Sequence, residues 1–398
     1  MREFIYDSLY NPIYGYFSKN VNIFSSLEPI SFRKLKDQDD YFKLLKSLYE
    51  NGNQTESKFH QLWHTPSELF KPFYGRALTR FITANNRKDP LIIYEIGPGN
   101  GTLAQNVLDC LKEDNQEIYE SVEYNLIEIS DNLRKKQAER LKPLHGHHIK
   151  FPNISILEIP ENFKEERSCW IIGMEVLDNL SHDLIKFRNE DGALLEAIIN
   201  TDNSATYGSI PGKYWREFRE AKDDVILEYL AIGDQLGWQW NSLKGRPFRR
   251  LLERYSPIEY INPWSCEYIP TDAYRLMKGL VKSFPNHRAL FSDFDELPDA
   301  VEGHCGPVVQ TRFRGETVPC SSILLERGLF DIFFPTNFPR ISQIHQILHK
   351  HQRIFSIEKH ANFMKKWSDP RDVKETTTKS GYNPMIQDFE NVSFYSCI

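Results

Sequence analysis

Nine residues, Tyr94-Glu95-Ile96-Gly97-Pro98-Gly99-Asn100-Gly101-Thr102, constrain the fold of this chain more than any other stretch. They follow the apolar run Leu91-Ile92-Ile93. They precede Leu103, Ala104, Val107, Leu108 and Leu111, which share one face of a helix. The order is strand, glycine turn, helix. Such a turn lets backbone N–H groups and a helix N-terminus approach a ligand where side chains would stand in the way. A nucleotide-like cofactor is the first expectation.

The surroundings of the loop set the architecture. Between residues 90 and 187 strand candidates (Leu91–Ile96, Glu123–Ile129, Ile154–Ile159, Cys169–Val176) alternate with helices near 102–113 and 131–141. The first and last strands are near-continuous apolar runs, as parallel strands covered on both faces are. Alternation of this kind predicts an α/β fold with a mostly parallel, Rossmann-like, doubly wound sheet. Four segments are expected. Residues 1–85 form an N-terminal helical cap, with helices at Asp39–Tyr49 and Ser67–Ile82. Residues 86–204 form the cofactor-binding core. Residues 205–265, charged and carrying Trp215, Trp238 and Trp240, form a helical insertion. Residues 266–398 hold the rest of the sheet. In that last segment Thr271-Asp272 opens a helix and Arg288–Phe294 is a strand. Val308–Phe313 starts a hairpin, and Asp331–Phe334 and Val392–Tyr395 are candidates to close the sheet.

Bulk composition narrows the function classes. A net charge of −6 over 398 residues argues against nucleic acid held on a broad basic face. The longest apolar runs are too short to predict a membrane span. The six cysteines are scattered without a C-x-x-C pair, which suits reduced thiols better than a disulfide framework or a zinc site. The opening Met1-Arg2-Glu3-Phe4-Ile5-Tyr6-Asp7 carries two acids, unlike a mitochondrial presequence, and lacks the apolar core of a secretory signal.

Glycine spacing separates two cofactor types. Glu95-x-Gly97-x-Gly99-x-Gly101 is E-x-G-x-G-x-G, whereas the dinucleotide fingerprint is G-x-G-x-x-G and would need its third glycine at Thr102. An NAD-dependent enzyme is therefore disfavoured. The observed spacing is the one used by class I S-adenosyl-L-methionine (SAM) methyltransferases, whose glycines pass close to the methionine part and the ribose. Glu128, at the end of the next strand, is placed to accept hydrogen bonds from both ribose hydroxyls.

The strand Cys169–Val176 runs into the acidic turn Met174-Glu175-Val176-Leu177-Asp178-Asn179-Leu180-Ser181. Ligands of open α/β sheets bind beyond the carboxyl ends of strands, so a methyl acceptor is expected here. An arginine guanidinium, with a pKa above about 12, needs a carboxylate to orient it and to offset the proton it loses. Glu175 and Asp178 are the candidate pair. Helix capping by Asp178 and a surface role for Glu175 are the plainer alternative.

Other features carry less. His145-Gly146-His147-His148 reads as a loop after a helix. His345, His349 and His351 give an i, i+4 pair without a third ligand, so a solvated helix is expected and no metal. Asp293-Phe294-Asp295-Glu296 either touches substrate or caps the following turn. Arg246, Arg249, Arg250 and Arg254 read as a solvated basic face.

Taken together, these motifs resemble the MidA-like methyltransferases, the group containing mitochondrial complex I assembly factor 7. Asn11-Pro12-Ile13-Tyr14-Gly15-Tyr16-Phe17 is similar to that family's N-P-x-x-G-Y-Y opening, and Thr65 through Glu68 to Gly75 to its T-x-x-E…F-G helix. Glu95–Gly101 matches its E-x-G-P-G-x-G loop. Glu128-Ile129-Ser130 with Leu133, Arg134 and Gln137 looks like its E-x-S-x-x-L-R-x-x-Q segment. Phe291–Phe294 and Gly328–Ile332 look like its later strands. The family's acidic turn usually reads N-E-x-x-D-A-L-P. Here Met174, Asn179 and Ser181 replace Asn, Ala and Pro, and the stretches from Tyr268 through Val308–Arg312 to Phe334 look like a divergent fungal-type branch. The resemblance implies SAM as cofactor, held by Glu95, Gly97, Gly99, Gly101 and Glu128, with Tyr14, Gly15 and Tyr16 closing over it. It implies arginine methylation of a protein substrate, a respiratory complex subunit in the mitochondrion, with Glu175 and Asp178 catalytic. The alternative it leaves is an assembly factor that keeps the fold and acts by binding alone.

Overall fold

The computed structural model describes residues 1–23, 28–52, 61–86, 90–188, 191–201, 214–240, 266–298, 300–301, 305–313, 316–349 and 352–398. A seven-stranded sheet organises most of the fold. Its strands in chain order are β1 (Ile92–Ile96), β2 (Glu123–Ile127), β3 (Ile149–Lys150), β4 (Cys169–Met174), β5 (His287–Phe294), β6 (Phe355–Lys359) and β7 (Val392–Cys397). Across the sheet they lie in the order β3-β2-β1-β4-β5-β7-β6. Strands β1 to β5 are parallel, and β7 runs antiparallel to both β5 and β6.

The expected doubly wound α/β sheet is thus present. Its central strands are buried on both faces, which is why Ile92–Ile96 and Cys169–Ile172 read as near-continuous apolar runs. The helix Thr102–Asp114 turns Leu103, Val107, Leu108 and Leu111 into a core shared with Ile93, Trp170, Ile172 and Leu290. Strand order reverses between β1 and β4. That reversal is the topological switch point, and in sheets of this kind ligands bind beyond the carboxyl ends of the strands there.

The chain divides into two compact units, each discontinuous in sequence. One comprises Met1–Asn20, Asp178–Leu276 and Leu297–Pro335; the other comprises Val21–Leu177, Met277–Glu296 and Thr336–Ile398 and contains the seven-stranded sheet. The first unit has two antiparallel sheets. One has the order Cys266–Ile269, Asp183–Phe187, Leu194–Thr201, Tyr214–Glu220; the other has Glu316–Pro319, Val308–Phe313, Asp331–Phe333. The segment 1–85 is shared out, its first twenty residues in one unit and the rest in the other.

Several elements differ from the sequence reading. Ile154–Ile159 is not a strand but a turn closed from Glu158 N–H to Ser155 O at 3.1 Å. Pro152 and Pro160 bracket it and have no N–H to give a ladder, and two-residue β3 forms the edge instead. The expected helix Ser67–Ile82 is two helices, Pro66–Leu69 and Phe73–Asn85, parted at Pro72. Asp331–Phe333 pairs with Val308–Phe313 and takes no part in the central sheet. The central edge is β6, where Phe355 and Ile357 are the only strong apolar signals and Ile357 is exposed; its pairing with β7 makes it a strand. In the segment 205–265 the helix Asp224–Gln235 is present, but Trp215 lies in a strand, Tyr214–Glu220, whose side chains alternate between half-buried and exposed. Arg246, Arg249, Arg250 and Arg254 lie outside the described residues. Among the described residues no helix is long and apolar enough to cross a membrane.

Candidate functional site

At the end of β1 the backbone turns through three glycines in the left-handed region, Gly97 (φ +62°), Gly99 (+52°) and Gly101 (+76°). A Cβ at Gly97 would stand 3.2 Å from Val176 Cγ2, and one at Gly101 3.1 Å from Leu141 Cδ1. Only glycine combines that conformation with that closeness. Gly97 N–H donates to Ile127 O at 3.1 Å, so the loop is fastened to the end of β2. Glu128 follows at once and is buried. Its Oε1 accepts from Ser130 N–H (2.8 Å) and its Oε2 from Gln137 Nε2 (3.1 Å). Each oxygen keeps a lone pair for a further donor. Burial raises the Glu128 pKa against those hydrogen bonds. It also raises Glu95, to about 7, with repulsion from Glu128 adding and a hydrogen bond from Tyr124 opposing.

Reading the residues alone missed what braces the loop. Gln137 Nε2 also donates to Gly99 O at 2.7 Å, and its buried Oε1 has no hydrogen-bond partner among the described residues. One amide thus links the glycine turn to the ribose candidate. Glu68, buried, accepts from the Thr102 hydroxyl and from Asn100 Nδ2 (3.2 Å) and pairs with Lys71 at 3.3 Å. The family-like spacings contained Glu68 and Gln137, but spacing alone gave neither a task.

At the end of β4, Glu175 takes φ +55°, uncommon for a residue with a side chain. Its N–H donates to Ser292 O at 2.9 Å. The Asp293 carboxylate, fully buried, accepts from Val176 N–H (3.0 Å) and Leu177 N–H (2.7 Å). Asp293, expected to touch substrate or to cap the turn that follows it, instead braces a turn far off in sequence, the acidic one. Glu175 is pushed up to about 8, first by desolvation and then by the charge of Asp293. Met174, one of the departures from the family pattern, meets the Tyr74 hydroxyl through its sulfur at 3.5 Å. Val176 is the neighbour of Gly97, so the start of the acidic turn, up to Leu177, adjoins the glycine loop within one unit.

Asp178 and the residues after it belong to the other unit. Asp178 is buried, and its backbone oxygen accepts from Phe334 N–H at 2.8 Å. Asn179 donates to Asp331 Oδ1 and to Ile332 O, both at 3.2 Å. Burial lifts Asp331 to about 7. Tyr10, whose hydroxyl reaches Asn179 O at 3.2 Å, is raised by burial and by Asp178 and Asp331. Tyr14 donates to Asp7 and lies under the Arg327 guanidinium at 5.4 Å. A Cβ at Gly15 would collide with the Asn11 backbone, and Tyr16 is fully buried. These contacts fix the shape of the N-terminal turn.

The histidines depart from expectation. His145 bonds Tyr119 and Asp109 in the interior. His345 and His349 are buried, not solvated, and a third residue, His287, joins them from β5. Burial pushes the His287 imidazole down to about 3. The third histidine of the group comes from a strand far away in sequence. His351 lies outside the described residues.

Comparison with known proteins meets this geometry. A family model described as "Putative S-adenosyl-L-methionine-dependent methyltransferase" matches residues 74–355, more than half of the chain. The chain is 23% identical over 408 residues to "Protein arginine methyltransferase NDUFAF7 homolog, mitochondrial" of Schizosaccharomyces pombe, covering 94% of this chain and 80% of that protein. It is similar in fold to a COG1565 superfamily member from Burkholderia thailandensis bound to S-adenosyl-homocysteine, with TM-score 0.59 and 15% identity over all of this chain and 86% of that one. A second structure of such a protein from that organism gives TM-score 0.56 at the same identity and coverage. The side-chain-free glycine turn and the receptive carboxylate of Glu128 fit SAM as cofactor. The chain belongs to the S-adenosyl-L-methionine-dependent methyltransferase family whose matched region spans this loop, Glu128 and the acidic turn.

Proposed function

We propose that this protein is a protein arginine methyltransferase of the mitochondrion, acting on a respiratory complex subunit as an assembly step. The observation that carries the reading is Glu175, held at a strained backbone angle on the turn that abuts the glycine loop. The S. pombe relative, by its name a mitochondrial arginine methyltransferase, supports acceptor and compartment. SAM supplies an electrophilic methyl on a sulfonium. The chain must then orient a guanidinium nitrogen in line with that methyl and receive the proton the nitrogen gives up. Glu175 in its ionised form does both: it pairs with the cationic acceptor and takes the proton as the new N–C bond forms and the C–S bond breaks. Glu95, Gly97, Gly99, Gly101 and Glu128 hold the cofactor. Asp178 is the second acidic group of the turn. Tyr14, Gly15 and Tyr16 are proposed to close over SAM, a role apart from the local contacts described above.

Transfer of labelled methyl groups from SAM into mitochondrial extract tests the reading. Glu175→Gln should lower transfer by about 10²–10⁴-fold, the usual loss of a proton-transfer group, with SAM binding retained. Equal transfer by the variant would remove Glu175 from the mechanism. A binding-only assembly factor is the second reading, favoured by Asn179, whose amide is spent on Asp331 and Ile332. It predicts partner capture that survives Gly99→Val in a folded protein.

A further inference from the structure

We propose that His287, His345 and His349 form a binding site for a divalent transition-metal ion of the zinc class, remote from the cofactor pocket. One ligand atom from each side chain lies within 4.8 Å of the other two. The ring centroids are 5.0 Å apart for His287 and His345, and 5.2 Å for each of the other pairs, so the three rings form one cluster. All three residues belong to the unit that contains the seven-stranded sheet.

Local structure explains the convergence. His345 and His349 have the H-x3-H spacing of a metal-binding helix. His349 caps the helix Phe338–Leu348, one turn beyond His345, and the two side chains leave from the same face. His287 begins β5, and its Nδ1 bonds Phe284 O at 2.6 Å. A carbonyl can only accept, so the proton sits on Nδ1 and the Nε2 lone pair faces the cluster. His345 Nδ1 meets the Tyr395 hydroxyl at 2.6 Å. Carbonyl and hydroxyl partners on the outer nitrogen are what orient ligating imidazoles.

Without metal, His345 Nε2–H donates to His287 Nε2 at 3.0 Å. Two imidazoles on a tetrahedral ion, with bonds of about 2.0–2.1 Å, stand roughly 3.3 Å apart, so the pair opens by only a few tenths of an ångström to admit one. A metal takes one nitrogen from each of the three rings, with solvent as the fourth ligand. Nitrogen ligands select zinc, copper or nickel over magnesium or calcium. The function is mechanical. His287 stands at the amino end of β5, about 25 Å of strand from the carboxyl end, where the cofactor loops leave the sheet. The ion would pin the helix Phe338–Leu348 to the far end of that strand.

The test is a cobalt(II) titration of the full chain after chelator treatment, followed by zinc displacement and thermal melting. The expected result is visible d–d absorption that saturates at a single equivalent, is lost on adding zinc, and accompanies a rise in Tm of a few degrees. His349→Gln should abolish the absorption and the Tm shift while binding S-adenosyl-homocysteine as the parent does. Absence of both signals in the unaltered protein overturns the proposal, whatever the variant does. An unchanged response in a folded His349→Gln also overturns it. Neither outcome depends on methyl transfer.

Discussion

At the scale of single residues, Glu175 combines two costs: a left-handed backbone angle and a carboxyl moved well above its ordinary range. Strain of this kind, worth about 1–3 kcal/mol, persists where surrounding structure enforces it and clusters at functional sites. Glu175→Gly should therefore raise stability to urea while abolishing methyl transfer. The pH dependence follows from the direction of the shift. The folded chain holds a proton on Glu175 up to about 8, whereas the unfolded chain releases it near 4.5. More protons are bound when folded, so this group makes stability fall as pH rises through that window. Glu175→Gln should flatten that slope in melts between pH 5 and pH 9, taken at about one-unit steps. Activity should rise with pH toward 8 in the parent, because the ionised carboxylate is the form that accepts a proton. At Glu128, replacement by Gln should weaken S-adenosyl-homocysteine binding by about 10–100-fold in calorimetry, the usual worth of hydrogen bonds to a charged group. Glu128 and the glycines were legible because the E-x-G-x-G-x-G turn and a carboxylate at the next strand tip are patterns local to the chain. The Asp293 brace on the acidic turn was not, because the two stretches meet only when β5 lies beside β4.

At the scale of elements, the glycine turn is a conformation held by its neighbours. Gly101→Ala should cost about 1–2 kcal/mol for the left-handed angle, with the 3.1 Å approach to Leu141 adding to it; urea unfolding measures the loss. Gln137→Leu should lower S-adenosyl-homocysteine affinity more than it lowers stability. It frees Gly99 O and Glu128 together while keeping the side chain's volume. Strands and helices of the core were readable because periodicity and burial on both faces leave a mark on each segment by itself. Ile154–Ile159 misled because an apolar run says nothing about whether a partner strand is within reach. β6 went unseen for the opposite reason: pairing with β7, not composition, makes it a strand.

At the scale of the molecule, none of the six cysteines is in a disulfide, and four are buried. Burial pushes Cys110, Cys169 and Cys397 up to about 12 and raises Cys320. A thiol reagent at neutral pH should thus modify Cys305 first, Cys320 more slowly and the four buried thiols last, and reductant should leave Tm unchanged. The division into two interleaved units has no counterpart along the chain, where composition changes by segment. Sequence by itself determined the sheet type, the glycine turn and the carboxylate that ends the next strand, because each is a local pattern answering to one physical demand: two-faced burial, a backbone without Cβ, a charge at a strand tip. Tertiary structure alone decided which buried groups meet. It set Asp293 under the acidic turn, Gln137 between loop and carboxylate, and His287 beside His345 and His349. Those meetings join residues far apart in sequence, and only the packing of the sheet brings them within bonding distance.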